Sequence, residues 1–336
     1  MTRQDEHLEA LHDLVSSELR TPVRPAVAWL AERIAERHGE AVAGVLFYGS
    51  CLRKQTHEGV LDFWVVVDDY ASTHSQRGHA LLNHIAPPNV YYLERDFEGE
   101  TLRTKYGVIG RQSFDRATRR SAWHPYVWAR FTQPTRLLGC RDQASRRFFE
   151  DALTRAISTF VGTLFCQLPD QGGLLRFSLA AFWREAFRST YDSERRPESE
   201  ASIRTLYDAD ADRYDRVAQE AFLHLCASGE FDEFSVHPQA LAITVSPGRL
   251  RTLRTRWRLM RAWSRTLGLA RLLKTTFTFG DWVPYVLWKM ERHTGEKIVL
   301  SERQRRHPLI FGWPIILPLL TQRSLRSPEN QGDNER

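Results

Sequence analysis

FYGSCLRKQTHEGVLDFWVVVDDY, residues 47–70, decides the fold. The apolar run AVAGVLFYG ends in it at Gly49 and Ser50, and VLDFWVVV (60–67) follows as a second run, β-branched and aromatic. Short runs of this composition bounded by Gly and Ser read as strands. The second strand carries an acid, Asp62, between Leu61 and Phe63. A carboxylate set in an apolar strand is costly unless it has a partner, which makes Asp62 the leading candidate for a site.

Outward from this pair the pattern alternates. Residues 5–18 place Leu8, Leu11, Leu14 and Val15 on one helical stripe. Residues 24–38 do the same with Val27, Leu30 and Ile34, and Pro25 stands near the first turn, where its missing N–H does no harm. Downstream, 74–85 reads as a short helix, NVYYLE (89–94) and LRTKYGVI (102–109) as strands, 112–131 as a helix, and TRLLG after Pro134 as a short apolar segment. From about residue 142 the spacing turns helical through RRFFEDALTRAISTFVGTLFCQL, LLRFSLAAFWREAFRSTY and DRYDRVAQEAFLHLC, with strands scarce. The expected organisation is α+β: a mixed sheet with helices over 1–140, a helical domain over 141–245, a basic amphipathic region over 246–325 and a disordered tail over 326–336.

A chain of 336 residues is long enough for two modest cores. Its formal charge of +6 suits a partner bearing phosphates without choosing between nucleic acid and membrane. Cys51, Cys140, Cys166 and Cys226 form no CxxC pair and no zinc spacing, so reducing surroundings and no structural metal are expected. The start, MTRQDEHLEALHDLV, is acidic and periodic rather than signal-like, which places the expected location in the cytoplasm. No apolar run reaches the roughly 20 residues of a membrane span. PLIFGWPIILPLL (308–320) is shorter and is broken by prolines.

Between 249 and 274 there are eight arginines, one lysine and no acid. Leu250, Leu253, Trp257, Met260 and Leu267 return at helical spacing beneath Arg251, Arg254, Arg258, Arg261 and Arg265. Such a helix can lie on an anionic membrane with its apolar stripe in the headgroup layer, or pack that stripe into a core and leave a solvated basic face. The first reading makes the protein peripheral on the inner face of the cell membrane, with no nucleic-acid partner.

Nucleotidyl transfer needs a turn that grips a triphosphate and strand carboxylates that hold a divalent cation. Gly49 and Ser50 can form the turn and Asp62 can supply one carboxylate. The usual second acid, two residues on, is here Trp64. Asp68 or Asp69 could replace it, although six residues of regular strand span about 20 Å; both acids could equally start a turn. Arg53 and Lys54 stand close enough to neutralise triphosphate charge, Lys105 could bring an ammonium to a phosphate, and His74 and His84 could donate to a phosphate or cap a helix. Each of these also has an ordinary surface reading.

FYGS (47–50), LDFWVVVDD (61–69), His74, His84, NVYY (89–92), KYGVI (105–109), ARFTQPTRLL (129–138) and, more loosely, STYDSERRPE (189–198) together resemble the mitochondrial-type phosphatidate cytidylyltransferases. The resemblance runs in order from about residue 45 to 225. It implies a nucleotidyltransferase-like sheet joined to a helical domain, and Mg²⁺-dependent conversion of CTP and phosphatidate to CDP-diacylglycerol and pyrophosphate. Residue by residue it implies Gly49 and Ser50 as the triphosphate turn, Asp62 as the first strand acid, and Asp68 and Asp69 as paired acids; these three are the candidate metal ligands, with the identity of the second ligand left open. Lys105, Arg130, Tyr191, Glu194 and Arg196 match family positions, with Glu194 standing where relatives carry aspartate. The family has an apolar residue at the place of Trp64. An asparagine near Arg77 is absent, and the sequence beyond 245 has no counterpart. A relative acting on another phospholipid, an isoprenoid phosphate or RNA would keep most of these residues, and a non-catalytic membrane-surface adaptor is the remaining alternative.

Overall fold

The computed structural model describes residues 3–69, 88–196, 198–236 and 240–278. The segment 74–85 with His74 and His84, the run 308–320 and the tail 326–336 lie outside the described residues.

The apolar runs around Gly49 become neighbouring strands, β1 (Val42–Tyr48) and β2 (Val60–Val67). With β3 (Asn89–Phe97), β4 (Glu100–Gly110) and β5 (Thr135–Leu138) they form a sheet of order β3-β4-β2-β1-β5. β2 and β4 run parallel and every other pair is antiparallel, so the sheet is mixed.

Successive strand residues face opposite sides, and β2 divides its side chains accordingly. Leu61, Phe63, Val65 and Val67 join Val27, Leu30 and Ile34 of α2 (Pro25–His38) in one buried cluster. Trp64 and Val66 enter a second cluster on the other face. Asp62 has the parity of Trp64 and Val66, and it lies at the strand end where that second core gives way to solvent. α2 stops at Gly39, whose φ of +65° suits a residue without Cβ.

The second face is covered by α1 (Arg3–Leu19), α4 (Arg111–Thr118), α5 (Gln143–Leu164) and α8 (Ala211–Ala227). Leu11, Val15 and Leu19 of α1 share a cluster with Phe149, Leu153 and Phe160 of α5 and with Val217 and Phe222 of α8. Glu18 of α1 takes Arg213 of α8 at 2.7 Å, and Glu150 of α5 accepts from Ser16 at 2.8 Å. The chain's first helix is thus built into the layer of helices that follows residue 142.

Two stretches depart from the helical reading. Over 112–131 the helix ends at Arg119, whose backbone is extended, and only the single turn Arg130–Thr132 resumes. Pro125 lies between, and it withholds an N–H from any helix and disfavours helical geometry before it. The stretch LLRF becomes β6 (Leu174–Phe177), which joins β7 (Glu233–Val236) and β8 (Leu241–Thr244) in a sheet of order β6-β8-β7. Leu175 and Phe177 turn inward and Arg176 outward. Ser178 then caps α6 (Leu179–Ser193), its hydroxyl accepting from the Ala181 N–H at 3.1 Å. α7 (Glu200–Asp208) completes this part.

The basic segment forms α9 (Pro247–Thr278). Its stripe faces inward: Leu250, Trp257 and Met260 are buried in the second cluster and Leu253 packs against it. Arg254 fixes the helix by donating to the carbonyls of Cys166 and Leu168 and by pairing with Asp170 at 2.6 Å. The same apolar spacing serves a core or a bilayer, and here the core takes it. Among the described residues no helix is long and apolar enough to cross a membrane.

Candidate functional site

The end of β1 and the start of β2 meet at the same edge of the sheet. The strand register sets Tyr48 opposite Asp62 and Asp62 opposite Lys105, which puts all three side chains in one row on one face. Lys105 Nζ lies 3.3 Å from Asp62 Oδ1, with the lysine 43% and the aspartate 24% exposed. Gly49 closes against this row. Its φ of +95° and ψ of −163° are almost exclusive to glycine, and a Cβ there would stand 3.0 Å from Asp62 Oδ2. The glycine therefore allows the backbone to approach the carboxylate. The short helix α3 (Ser50–Arg53) carries the chain away from the turn, starting at Ser50 and ending at Arg53.

Behind the row lies a buried ion pair. Arg130 donates from both terminal nitrogens to the two oxygens of Glu194, each at 2.8 Å, and both side chains are nearly buried. The guanidinium also covers the Tyr126 ring, 3.7 Å from its centroid, and donates to the Tyr126 carbonyl. Burial works against the charge of Arg130, but Glu194 outweighs it and holds the pKa well above its ordinary value. Burial raises the pKa of Tyr48, and so does the Asp62 charge, while Arg130 and Lys105 pull it down. Tyr48 therefore stands within the electrostatic reach of both the Asp62–Lys105 pair and Arg130.

The C-terminal turn of α6 supplies Tyr191 and, just after it, Glu194. Arg196 stands 3.9 Å from Glu194 and over the Tyr191 ring at 5.6 Å. Arg53 donates to the Gln133 side chain at 3.0 Å. Burial raises the pKa of Tyr191 and the charges of Arg196 and Arg53 oppose the rise. Gly49, Asp62 and Lys105 are thus brought together, with Ser50 following in the turn, while Arg130, Glu194, Arg196 and Tyr191 form a second group. Lys54 follows α3 and is exposed.

Asp68 and Asp69 are not brought there. They follow the far end of β2, about 20 Å along the strand from Asp62. Asp68 pairs with Arg141 and, at 3.6 Å, with Arg111, while its N–H donates to the Ala41 carbonyl at 2.9 Å. That is a structural anchor at the opposite edge. Trp64 fills the position usual for a second acid and packs edge-on to Phe131 at 5.5 Å. Among the described residues no group of three or more His, Cys, Asp or Glu could hold a metal ion. His74 lies outside the described residues.

Tyr48, Tyr126 and Gln133 were not singled out from the sequence. Tyr48 carried a usable signal, since it shares the alternation of β1 and adjoins Gly49. Gln133 and Tyr126 had none, because their roles depend on contacts with residues distant in the chain. No family model matches the chain, and no curated protein matches it.

Proposed function

We propose that this chain is a nucleotidyltransferase that moves CMP from CTP to the phosphate of an anionic lipid, phosphatidate, giving CDP-diacylglycerol and pyrophosphate. The observation that carries the reading is the Asp62–Lys105 pair set against the Gly49 turn. The choice of CTP and phosphatidate rests on the resemblance noted in FYGS, KYGVI and STYDSERRPE.

In this reading the phosphate oxygen of the acceptor attacks the α-phosphorus of CTP as the bond to pyrophosphate breaks. A phosphomonoester has a second pKa near 6, so the acceptor is largely ionised at neutral pH and needs little help from a base. The residues' task is to position and to neutralise charge. The backbone N–H groups and hydroxyl of the Gly49-Ser50 turn hold the β- and γ-phosphates. Lys105 supplies a cation beside them, and Arg53 and Arg196 supply further positive charge.

The donor set fits Mg²⁺ only in part. Mg²⁺ is commonly held by one or two carboxylates together with substrate phosphates. Asp62 provides one, while Asp68 and Asp69 stand too far away to share the ion. Mg²⁺ therefore belongs to the substrate as its triphosphate complex, where it neutralises phosphate charge, and Asp62 receives that complex.

The lipid acceptor implies contact with a bilayer. The outer face of α9 offers Leu259 and Trp263, 57% and 52% exposed, flanked by the exposed Arg251 and Arg258. Tryptophan and arginine in this combination suit an anionic headgroup layer.

The test is incubation with each labelled nucleoside triphosphate and a panel of phospholipids, followed by identification of the lipid product. Labelled CDP-diacylglycerol from CTP and phosphatidate is the expected result. Absence of any nucleotidyl lipid, or transfer to RNA alone, overturns the reading.

A further inference from the structure

Two cavities open where the end of α1 meets the first turn of α5, and Arg20 lines both. The larger, about 490 Å³, is otherwise lined by Leu137 of β5 and by Gln143 and Arg146 of α5. The smaller, about 420 Å³, carries Asp13, Ser17 and Thr21. Each has the size of a small-molecule site. β5 is an edge strand on which Leu137 stands opposite Leu46, while Thr135 stands opposite Tyr48. The cavities therefore lie off that edge, apart from the Asp62–Lys105 row.

The side chains divide by chemistry. Glu150, buried, accepts from the Ser16 hydroxyl at 2.8 Å and from one terminal nitrogen of Arg20 at 3.0 Å. That carboxylate orients the guanidinium and leaves its other nitrogens without a partner among the described residues. The Arg146 side chain likewise makes no hydrogen bond or ion pair among the described residues. Two guanidinium groups thus line the larger cavity, which holds no acid of its own, and a concavity lined by one sign of charge concentrates counter-ions. Glu150 offsets part of that charge, so the unengaged donors matter as much as the charge itself. On the other side of Arg20 the smaller cavity offers a carboxylate and two hydroxyls. Asp13 and Ser17 stand one turn apart on the same face of α1.

We propose that the two cavities form one binding site for a sugar phosphate, its phosphate held by Arg20, Gln143 and Arg146 and its hydroxyls by Asp13, Ser17 and Thr21. A guanidinium presents paired N–H donors that match two phosphate oxygens, and the Gln143 amide adds a neutral donor. An ionised carboxylate only accepts, so Asp13 takes sugar O–H groups and turns the phosphate toward the arginines. The ligand bridges α1 and α5, and a ligand that binds only the folded chain stabilises it. The site is independent of the transferase reading and stands if that reading fails.

The test uses the full chain with glucose 6-phosphate and ribose 5-phosphate, and with inorganic phosphate and glucose as controls. At least one sugar phosphate should raise the parent's melting temperature and bind saturably in calorimetry. Inorganic phosphate should bind about tenfold more weakly or worse, and glucose not at all. Arg146→Gln should weaken the sugar phosphate about tenfold, as for loss of one hydrogen bond to a charged group. Asp13→Asn should weaken it too and leave inorganic phosphate unchanged. Without ligand both variants should melt close to the parent, since neither side chain is buried. Lys105→Ala, which removes the cation beside the Gly49 turn, should bind the sugar phosphate as the parent does. Absence of binding, equal binding of inorganic phosphate, or binding untouched by Arg146→Gln overturns the site. Binding lost in Lys105→Ala also overturns it, because the phosphate would then sit at the Gly49 turn.

Discussion

The ammonium of Lys105 lies 3.3 Å from the carboxylate of Asp62, across two parallel strands whose register places the residues side by side. Both are partly exposed, and such pairs add little to stability. Asp62→Asn should therefore fold with nearly parental stability, read by thermal melting. Release of pyrophosphate from CTP in the presence of phosphatidate should fall by about 10²-fold or more, the scale on which a preorganised electrostatic contact acts. Near-parental turnover would remove Asp62 from the site.

Gly49→Ala tests the approach of the turn to that carboxylate. At φ +95° the alanine is strained, at a cost of about 1–3 kcal/mol. Its Cβ, 3.0 Å from Asp62 Oδ2, must also displace the side chain. Turnover should fall further than stability does, with melting and pyrophosphate release measured on the same preparation. A variant that melts early yet turns over normally while folded would show that Gly49 serves the fold alone.

Glu194→Ala leaves Arg130 buried and uncompensated. Breaking a buried pair from one side typically costs about 3–5 kcal/mol, which urea unfolding would read as a large fall in the midpoint. Replacing both residues by methionine should recover much of that loss, because the penalty comes from the stranded charge. An equal loss in the single and double replacements would contradict this account of the pair.

The sheet was legible because β1 and β2 are continuous apolar runs, and the strand alternation of β2 already separated Asp62, Trp64 and Val66 from Leu61, Phe63 and Val65. β6 was not legible: Leu175, Arg176 and Phe177 alternate, but they adjoin the strong helical pattern of α6, which absorbs them in a reading by spacing, and the Ser178 cap divides the two. The partnership of Arg130 with Glu194 could not be read from spacing, since long-range pairing depends on how helices pack. Strand length set Asp68 about 20 Å from Asp62, yet Asp68 and Asp69 were expected as metal ligands with it, because the arginines that hold Asp68 at the far end are distant in the chain and not legible. The direction of the α9 stripe was undetermined for a physical reason: one period fits a core and a bilayer alike.

Glu230 gives a pH dependence. Burial would raise its carboxyl, but the Arg120 hydrogen bond and the charges of Arg120 and Arg249 together hold its pKa below the ordinary 4.5. A depressed acid stabilises the fold above its unfolded value, and that contribution disappears as pH falls through the folded value. Stability should thus be insensitive to this group near neutral pH and should decline below about 4.5. Glu230→Gln should lower stability at neutral pH and flatten the acid decline, measured by melting across the pH range. An unaltered acid profile would separate Glu230 from it.

The two faces of α9 should respond oppositely to tryptophan replacement. Trp257 is buried against Trp128, with centroids 6.4 Å apart, and Trp257→Ala should cost about 3–5 kcal/mol. Trp263 is 52% exposed, and Trp263→Ala should change stability by no more than about 0.5 kcal/mol. If the outer face meets a bilayer, Trp263→Ala combined with Leu259→Ala should weaken flotation with phosphatidate-containing vesicles, with stability retained. Salt should weaken the parent's flotation as well, since the arginines of this face are exposed and screened by ions. Undiminished flotation in the double variant would move the membrane contact away from this face and leave α9 as a helix of the core alone.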